Sequence, residues 1–416
     1  MASVGGPGID AGRVIADLRE LDRRTGGAEG AQRLCWGDDW RAARELLREL
    51  LGEIGVEPER DEAGNVWGRL EGESDAALAV GSHLDSVPGG GWLDGALGVM
   101  AGLGVLRAWA DSGRRPPQSL VLVDWADEEG ARFGRSLFGS SAFSGTLEPG
   151  ELRDLRDAEG RAAADVLADN GIDLRRVLEC GGRAEGLACY VELHIEQGPV
   201  MEAEGVSVAA VRGCAGVERH RFRFEGQASH AGTTPMDQRR DAGLAAAEAA
   251  LRIEGIAERN HGVATTGALS LRPGIPTAVA GEAELMVDLR NPDPRSLATM
   301  LGEALAIAEL EAEKRRCELG TELVWRIEPT AFEERLVALA QEVVADAGGR
   351  VEPMTSGALH DAAEVARALP AAMVFVPSIG GISHAKEEDT SEDDLAMGID
   401  VFCALANRVL AGNSSP

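Results

Sequence analysis

The sequence is poor in cysteine and in basic residues, and it lacks long apolar runs. Six cysteines occur among 416 residues, with no C-x-x-C motif, so neither a disulfide framework nor a thiolate zinc site is indicated. Lysine and arginine number 41 against 70 acidic residues, a formal net charge of −29, which would repel nucleic acid and anionic membrane surfaces. No apolar run reaches the roughly 18 residues of a membrane span, and no signal peptide is apparent. We therefore expect a soluble cytoplasmic protein without a nucleic-acid or membrane partner.

The length and the hydrophobic pattern indicate two domains. At 416 residues the chain is too long for one ordinary core. Helical patterns alternate with short apolar runs, as they do in α/β proteins. From about Val211 the pattern changes to strand–helix–strand–strand–helix–strand. We therefore predict a separate α+β domain at residues 212–326, inserted between residues 1–211 and 327–416, which together form the first domain.

One stretch, GSHLDSVPGGGWLDGALG at residues 81–98, combines a strand end, a glycine loop and a helix start. The apolar run before it predicts a buried strand, which delivers His83 and Asp85, and the loop then leads to Asp94. One imidazole and two carboxylates at the carboxyl edge of an α/β sheet are a way to hold a metal. For this stretch alone, a surface turn with a stray histidine is the alternative interpretation.

Further predicted strands end in the same kinds of residue. The strand SLVLVDW runs directly into the acidic pair Glu128 and Glu129, CYVELH ends at His194, and His384 follows a strand at 372–377. Consecutive acids are costly to pack unless they bind something or face water, so a solvated loop is the alternative for the acidic segment alone. A single metal centre accounts for all of these strand ends at once.

The donor types predict the chemistry of such a centre. Histidine with carboxylate ligands suits Zn²⁺, Mn²⁺, Co²⁺ or Ni²⁺. Asp94 has two oxygens and would bridge two ions about 3.5–4 Å apart, while Asp85 would accept the second N–H of His83 and fix its tautomer. One of the paired glutamates would bind metal, and the other would take a proton from a water that the ions acidify. The pattern predicts a metal-dependent hydrolase whose ligands would serve two ions if two bind.

Seven motifs, in order along the chain, resemble those of the amidase/hydantoinase–carbamoylase family within the zinc aminopeptidase-like clan: GSHLDSVPGGGWLDGALGV, DEEGARFG, HIEQGP, SHAGTTPMDQRRDA, DLR, SGALHDA and GGISHAKEEDTS. The family includes N-carbamoyl-L-amino-acid hydrolases, β-ureidopropionases and allantoate amidohydrolases. The resemblance implies an α/β, zinc aminopeptidase-like catalytic domain with a mixed sheet flanked by helices. It also implies that the inserted α+β domain is a lid and dimerisation domain.

The resemblance implies a role for each residue at the strand ends. It assigns two metal groups, one of His83, Asp94 and His194, the other of Asp94, Glu129 and His384. Glu128 would be the general base. Zinc is the first choice for both ions, with manganese, cobalt and nickel as alternatives.

Other motif residues are implied to contact the substrate. His230 would reach the site of the neighbouring subunit in a homodimer and stabilise the oxyanion, and Arg290 would pair bidentately with a substrate carboxylate. Gln197 would hydrogen-bond the substrate. For His360, substrate contact and a structural role are both open.

Three positions depart from the pattern of the family. Thr277 stands where the family usually has an asparagine that helps to bind substrate, Leu359 replaces a glycine, and Trp92 stands where a basic residue is common. These departures leave the substrate side chain open.

We therefore expect a dinuclear amidohydrolase that cleaves a linear amide or ureido C–N bond in a small carboxylate-bearing substrate. An N-carbamoyl-L-amino-acid hydrolase, releasing amino acid, ammonia and CO₂, is the leading hypothesis. The alternatives are an allantoate amidohydrolase and an aminoacylase or dipeptidase.

Overall fold

A computed structural model describes residues 6–412 of the chain. The chain divides into two compact units, Met1–Gly213 with Phe332–Pro416 as the first and Cys214–Ala331 as the second. The boundaries predicted from the sequence lie a few residues before these bounds.

The helices and strands follow one another along the whole chain. The helices are α1 (Ala11–Thr25), α2 (Asp38–Gly52), α3 (Ala96–Asp111), α4 (Phe138–Ser144), α5 (Ala163–Asp169), α6 (Val200–Glu204), α7 (Ala242–Asn260), α8 (Pro294–Lys314), α9 (Glu334–Asp346), α10 (Asp361–Val365) and α11 (Glu392–Gly412). The strands are β1 (Glu59–Arg60), β2 (Val66–Leu70), β3 (Ala77–His83), β4 (Ser119–Trp125), β5 (Leu187–Ile195), β6 (Ala209–Cys214), β7 (Gly216–Glu225), β8 (Ser229–His230), β9 (Val263–Arg272), β10 (Ala278–Val279), β11 (Glu282–Asn291), β12 (Glu318–Ile327), β13 (Thr330–Ala331), β14 (Met354–Ser356) and β15 (Ala371–Val376).

The first unit is built on a mixed sheet that runs β1-β2-β4-β3-β5-β15-β6. Its central strands β4, β3, β5 and β15 are parallel, whereas β2 and β6 pair antiparallel at the flanks. Residues of β3, β4 and β15 are buried along their whole length, as expected for parallel strands covered on both faces. The carboxyl ends of the central strands therefore meet at one edge of the sheet.

Helices cover this sheet and supply its hydrophobic core. Helices α3, α9 and α11 contact its central strands, and α1 and α2 complete the cluster with residues such as Leu18 and Leu47. Helix α3 is buried on nearly every side, because its first two turns contain only small and apolar residues.

Helix α11 bears on the expectation that the chain has no membrane-spanning segment. It is long and apolar enough to cross a membrane by length and composition, but most of it is buried inside the protein. It begins with three acidic residues, and Leu395, Ile399 and Phe402 belong to the core cluster. These contacts indicate a core helix.

The second unit has its own sheet and core. The sheet runs β12-β7-β11-β9 with antiparallel pairing throughout, and the short strands β8 and β10 pair beside it. Residues of β11 alternate between buried and half-buried, which is the period of a sheet with one covered face. Helices α7 and α8 pack on that face. This is the α+β arrangement that the sequence predicts.

Candidate metal centre

The central parallel strands of the first unit deliver the candidate ligands to one edge of the sheet. His83 is the last residue of β3, the acidic pair follows β4, His194 is the penultimate residue of β5, and the loop after β15 carries His384. In open α/β sheets the carboxyl ends of the strands are the usual place for a ligand. The shared strand direction explains how residues about 300 positions apart in the sequence come together.

The first predicted ligand group is formed. Ligand atoms of His83, Asp94 and His194 all lie within 4.8 Å of one another, and the three residues are buried. The Oδ1 atom of Asp94 is 3.2 Å from the Nε2 atom of His194 and 3.9 Å from that of His83.

The second predicted group is formed on the other side of the same carboxylate. The Oδ2 atom of Asp94 is 3.3 Å from the Nε2 atom of His384, which is 3.5 Å from the Oε2 atom of Glu129. The ligand atoms of these three residues also lie within 4.8 Å of one another. Each oxygen of Asp94 therefore faces one group, the arrangement that a bridging carboxylate requires.

Backbone carbonyls fix both buried imidazoles. The Nδ1 atom of His83 lies 3.1 Å from the carbonyl oxygen of Asp85, and the Nδ1 atom of His194 lies 2.9 Å from that of Ile195. A hydrogen bond from each Nδ1–H leaves Nε2 as the lone-pair nitrogen. Both rings thus direct Nε2 toward Asp94.

The predicted role of Asp85 needs correction. Its backbone carbonyl, not its carboxylate, lies within hydrogen-bonding distance of His83, because the carboxylate is 3.8 Å from Nδ1. The two carboxylate oxygens instead accept hydrogen bonds from the backbone N–H groups of Glu128 and Glu129, at 3.2 and 3.1 Å. Asp85 therefore holds the turn that carries both glutamates.

Gly95 leaves the space that the His83 ring occupies. A Cβ atom at this position would lie 2.4 Å from the ring, and the residue has a φ of 65°. Both the close approach and the left-handed backbone require glycine here. The glycine explains how the start of α3 approaches the end of β3 so closely.

The charges of the centre fit a divalent cation. Burial, followed by the nearby Asp361 and Glu129 carboxylates, raises the pKa of Glu128 well above its ordinary value. Burial and Asp94 raise the pKa of Glu129 to about 8, and the Oε1 atom of Glu129 is buried without a hydrogen-bond partner. A positive charge among these crowded carboxylates would stabilise their ionised forms. The nitrogen and oxygen donors suit a zinc-type ion.

The negative charge of Asp94 also raises the pKa values of two histidines. Burial opposes protonation of His194, but its hydrogen bond to Asp94 raises its pKa to about 9. The hydrogen bond from His384 to Asp94 likewise raises the pKa of His384 to about 9. Asp94 itself is buried, yet its contacts with these two imidazoles hold its pKa well below the ordinary value.

Several residues of the centre have strained backbones. Asp127, Gln197 and His384 have φ values of 57°, 58° and 56°, in the left-handed region that non-glycine residues rarely adopt. Each lies in a loop that follows a central strand. Such strain is concentrated at functional sites, where the surrounding structure maintains it.

Gln197, predicted to bind substrate, lies against the bridging carboxylate. Its Nε2 group donates to Oδ2 of Asp94 at 2.9 Å and to Oγ of Ser383 at 3.2 Å, while its Oε1 atom is buried without a partner. The amide is thus at the centre, and its carbonyl end is available to a ligand.

His360 is buried behind the metal groups, which favours the structural alternative. Its side chain packs edge-on against His194, with ring centroids 4.4 Å apart, and its Nε2 atom is 2.8 Å from Oγ of Ser356. Burial and His194 lower its pKa well below the ordinary value. Its neighbour Glu192 already accepts hydrogen bonds from Ser82 Oγ, Tyr190 OH and a backbone N–H, so this pair is satisfied without an ion.

Trp92, one of the departures from the family pattern, is also buried. The Arg19 guanidinium lies 3.7 Å from its ring centroid, and its Nε1–H donates to Asp389 at 3.2 Å. Trp92 thus joins the Asp94 loop to α1 and to residue 389. These contacts explain the residue by packing.

The remaining predicted residues lie in the second unit. His230 pairs with Ala278 in the β8–β10 ladder, and the carbonyl of Thr277 accepts a hydrogen bond from the N–H of Ala231 at 2.8 Å. Arg290 lies near the end of β11, where its Nε group donates to Asp288 at 2.8 Å. His230 and Thr277 are therefore neighbours, and Arg290 is at the far end of the sheet.

Comparisons with known proteins identify the family. Residues 79–408 match peptidase family M20/M25/M40. The chain belongs to this family. An N-carbamoyl-L-amino acid amidohydrolase of Geobacillus stearothermophilus is 36% identical to it over 392 residues, which are 93% of this chain and 95% of the relative. An allantoate amidohydrolase of Bacillus subtilis is 32% identical over 376 residues, 89% of this chain and 90% of the relative.

A solved structure agrees with these relatives. The crystal structure of an amidase of the hydantoinase/carbamoylase family from Burkholderia multivorans superposes with a TM-score of 0.89 at 32% identity, over 96% of this chain and 98% of that one. The family resemblance, the α/β fold with a mixed sheet and the assignment as a hydrolase of C–N bonds are confirmed.

Proposed function

We propose that this M20-family chain is an N-carbamoyl-L-amino-acid hydrolase with two divalent metal ions per subunit, zinc in the first place. The observation that carries the proposal is the bridging geometry of Asp94, whose two oxygens face separate His/carboxylate groups. The Geobacillus relative supplies the substrate class. The Bacillus relative supports allantoate as the second candidate. The net charge of −29 fits a protein without nucleic-acid partners, and the free cysteines fit a reducing, cytoplasmic location.

The chain's own residues divide into ligands and a proton carrier. His83, Asp94 and His194 would hold one ion, and Asp94, Glu129 and His384 the other. When bound, such ions polarise the substrate carbonyl and acidify the attacking water. Glu128 has an Oε2 atom 3.6 Å from Nε2 of His83 and is not part of either ligand group. Glu128 would accept a proton from the water and return it to the departing nitrogen.

His230 would stabilise the negative charge that develops on the carbonyl oxygen. Its Nδ1 atom accepts a hydrogen bond from the N–H of Gly232 at 3.1 Å, so a neutral ring has its proton on Nε2. The ring is exposed, and its N–H would donate to an oxyanion.

The positions of His230 and Arg290 support a homodimer. The segment that contains His230 pairs with residues just before the start of β11, and Arg290 lies eight residues after Glu282, the first residue of that strand. At about 3.3 Å per residue the strand separates the two ends by roughly 26 Å. A small substrate does not span that distance. We therefore propose that Arg290 and a second subunit's His230 serve the same substrate.

Arg290→Ala is expected to raise KM for a carbamoyl amino acid by about 10- to 100-fold with little change in kcat, because it removes a bidentate partner of the carboxylate. Asp288 orients Arg290 and also pairs with Arg219, at 2.8 and 2.6 Å. Arg219→Ala is the matched control, because it removes a cation from the same aspartate, and KM should stay unchanged. Steady-state kinetics measure both, and an unchanged KM in the Arg290 variant would reject the carboxylate contact.

Mixing two inactive variants tests the shared active site. His230→Ala and Glu128→Gln chains, each nearly inactive alone, are expected to regain about a quarter of the wild-type activity after co-refolding, because half of the dimers are mixed and each has one complete site. The measurement is ammonia release before and after subunit exchange. Absence of recovery in demonstrably mixed dimers would show that His230 acts within its own chain.

A substrate panel tests the reaction itself. Ammonia release is measured with N-carbamoyl-L-amino acids and allantoate, and amino acid release with N-acetyl amino acids, in each case after loading with Zn²⁺, Mn²⁺, Co²⁺ or Ni²⁺. The proposal predicts the highest kcat/KM with a carbamoyl amino acid. Preference for allantoate selects the second candidate, and amino acid release from N-acetyl substrates alone would show an aminoacylase.

A further inference from the structure

Glu388 contacts the loop that carries the bridging residue Asp94, and it belongs to neither metal group. It is 2% exposed. Its Oε1 atom accepts hydrogen bonds from the backbone N–H groups of Leu93 and Asp94, at 3.2 and 3.0 Å. A carboxylate that accepts two consecutive N–H groups fixes the orientation of the peptide between them. Glu388 therefore holds the backbone N–H of Asp94.

The second oxygen of Glu388 reaches the side chain of Asp94 through a hydroxyl. The Oγ atom of Ser383 is 2.9 Å from Oε2 of Glu388 and 3.3 Å from Oδ2 of Asp94. A hydroxyl has a single proton to donate, so Ser383 lies within hydrogen-bonding distance of both carboxylates and donates to one of them at a time. Ser383 also directly precedes His384, so Glu388 contacts the loops of Asp94 and His384, two of the three loops that form the second metal group.

Gly91 leaves the space that the side chain of Glu388 occupies. A Cβ atom at Gly91 would lie 2.0 Å from Oε1 of Glu388. The φ of Gly91 is not in the left-handed region, so the close approach alone requires glycine. The loop before Asp94 is thus packed on this carboxylate.

We propose that Glu388 is a positioning residue that directs Oδ2 of Asp94 toward His384 and Glu129 and so sets the affinity of the second metal ion. The inference rests on the proposed two-metal function. Oδ1 of Asp94 faces His83 and His194, which strand ends and backbone carbonyls hold without Glu388. The effect of Glu388 should therefore be confined to the second ion.

Titration of the metal-free protein with Co²⁺, followed by visible absorption, tests this inference. The wild type should bind two equivalents, and His384→Ala should define the spectrum that lacks the second ion. Glu388→Gln is expected to bind the first Co²⁺ as the wild type does and the second at least about tenfold more weakly, the lower range for outer-shell partners of metal ligands. With one equivalent bound, its spectrum should match that of His384→Ala.

A matched variant separates positioning from general loosening. Trp92→Phe removes the Trp92–Asp389 hydrogen bond in the same cluster, and both its Co²⁺ affinities should equal those of the wild type. Equal weakening in the Trp92 and Glu388 variants, or wild-type affinities in Glu388→Gln, would overturn the inference. If Glu388→Gln does not fold, Ser383→Ala takes its place with the same expected loss, and unchanged affinity there is equally decisive. A wild type that binds fewer than two Co²⁺ would instead reject the two-metal proposal.

Discussion

Glu128→Gln is expected to lower kcat by about 10²- to 10⁴-fold, the usual contribution of a general base, with the metal content unchanged. The amide keeps the shape of the side chain, and the backbone N–H of Glu128 stays bonded to Asp85. Burial and neighbouring acids raise the pKa of Glu128 when no cation is bound. A bound cation would favour the ionised form that accepts a proton.

Glu364→Gln provides the control for this variant. Glu364 is a buried glutamate of the same unit that accepts hydrogen bonds from Ser144 and Thr146, and it lies outside both metal groups. The same chemical change there should leave kcat near the wild-type value. Steady-state ammonia release and metal analysis are measured for both variants. Unchanged turnover in the Glu128 variant would exclude this residue as the base.

The sequence predicted the candidate ligands because strand ends are readable from it. An apolar run that stops at a histidine or an acid places that residue at the edge of a sheet, and parallel strands bring such edges together. The strand Ser119–Trp125 has the predicted bounds in the structure. The same reasoning placed His83, His194 and His384 in one centre without any knowledge of distances.

Contacts that depend on loop conformation could not be predicted from the sequence. The spacing of two residues between His83 and Asp85 fits a carboxylate contact as well as a carbonyl contact, and only the folded turn selects the carbonyl. Glu388 stands in the acidic run AKEED, which has the composition of a solvated loop, yet it is buried. The one sequence signal for this burial is Gly91, which leaves space for the Glu388 side chain. That role becomes visible only when the folded structure shows which side chain approaches the glycine.

Asp94→Ala is expected to remove both metal ions and to lower turnover by about 10³-fold or more. Metal ions supply several kcal/mol of transition-state stabilisation, and each 1.4 kcal/mol is a factor of ten in rate. The residue faces one ligand group with Oδ1 and the other with Oδ2, so its loss should affect both ions at once.

His83→Ala and His384→Ala each remove a ligand of one group only. Metal content per chain after dialysis should therefore fall from two in the wild type to one in each histidine variant and to none in Asp94→Ala. Retention of one tightly bound ion by the Asp94 variant would show that the carboxylate belongs to a single site and that the centre is not bridged.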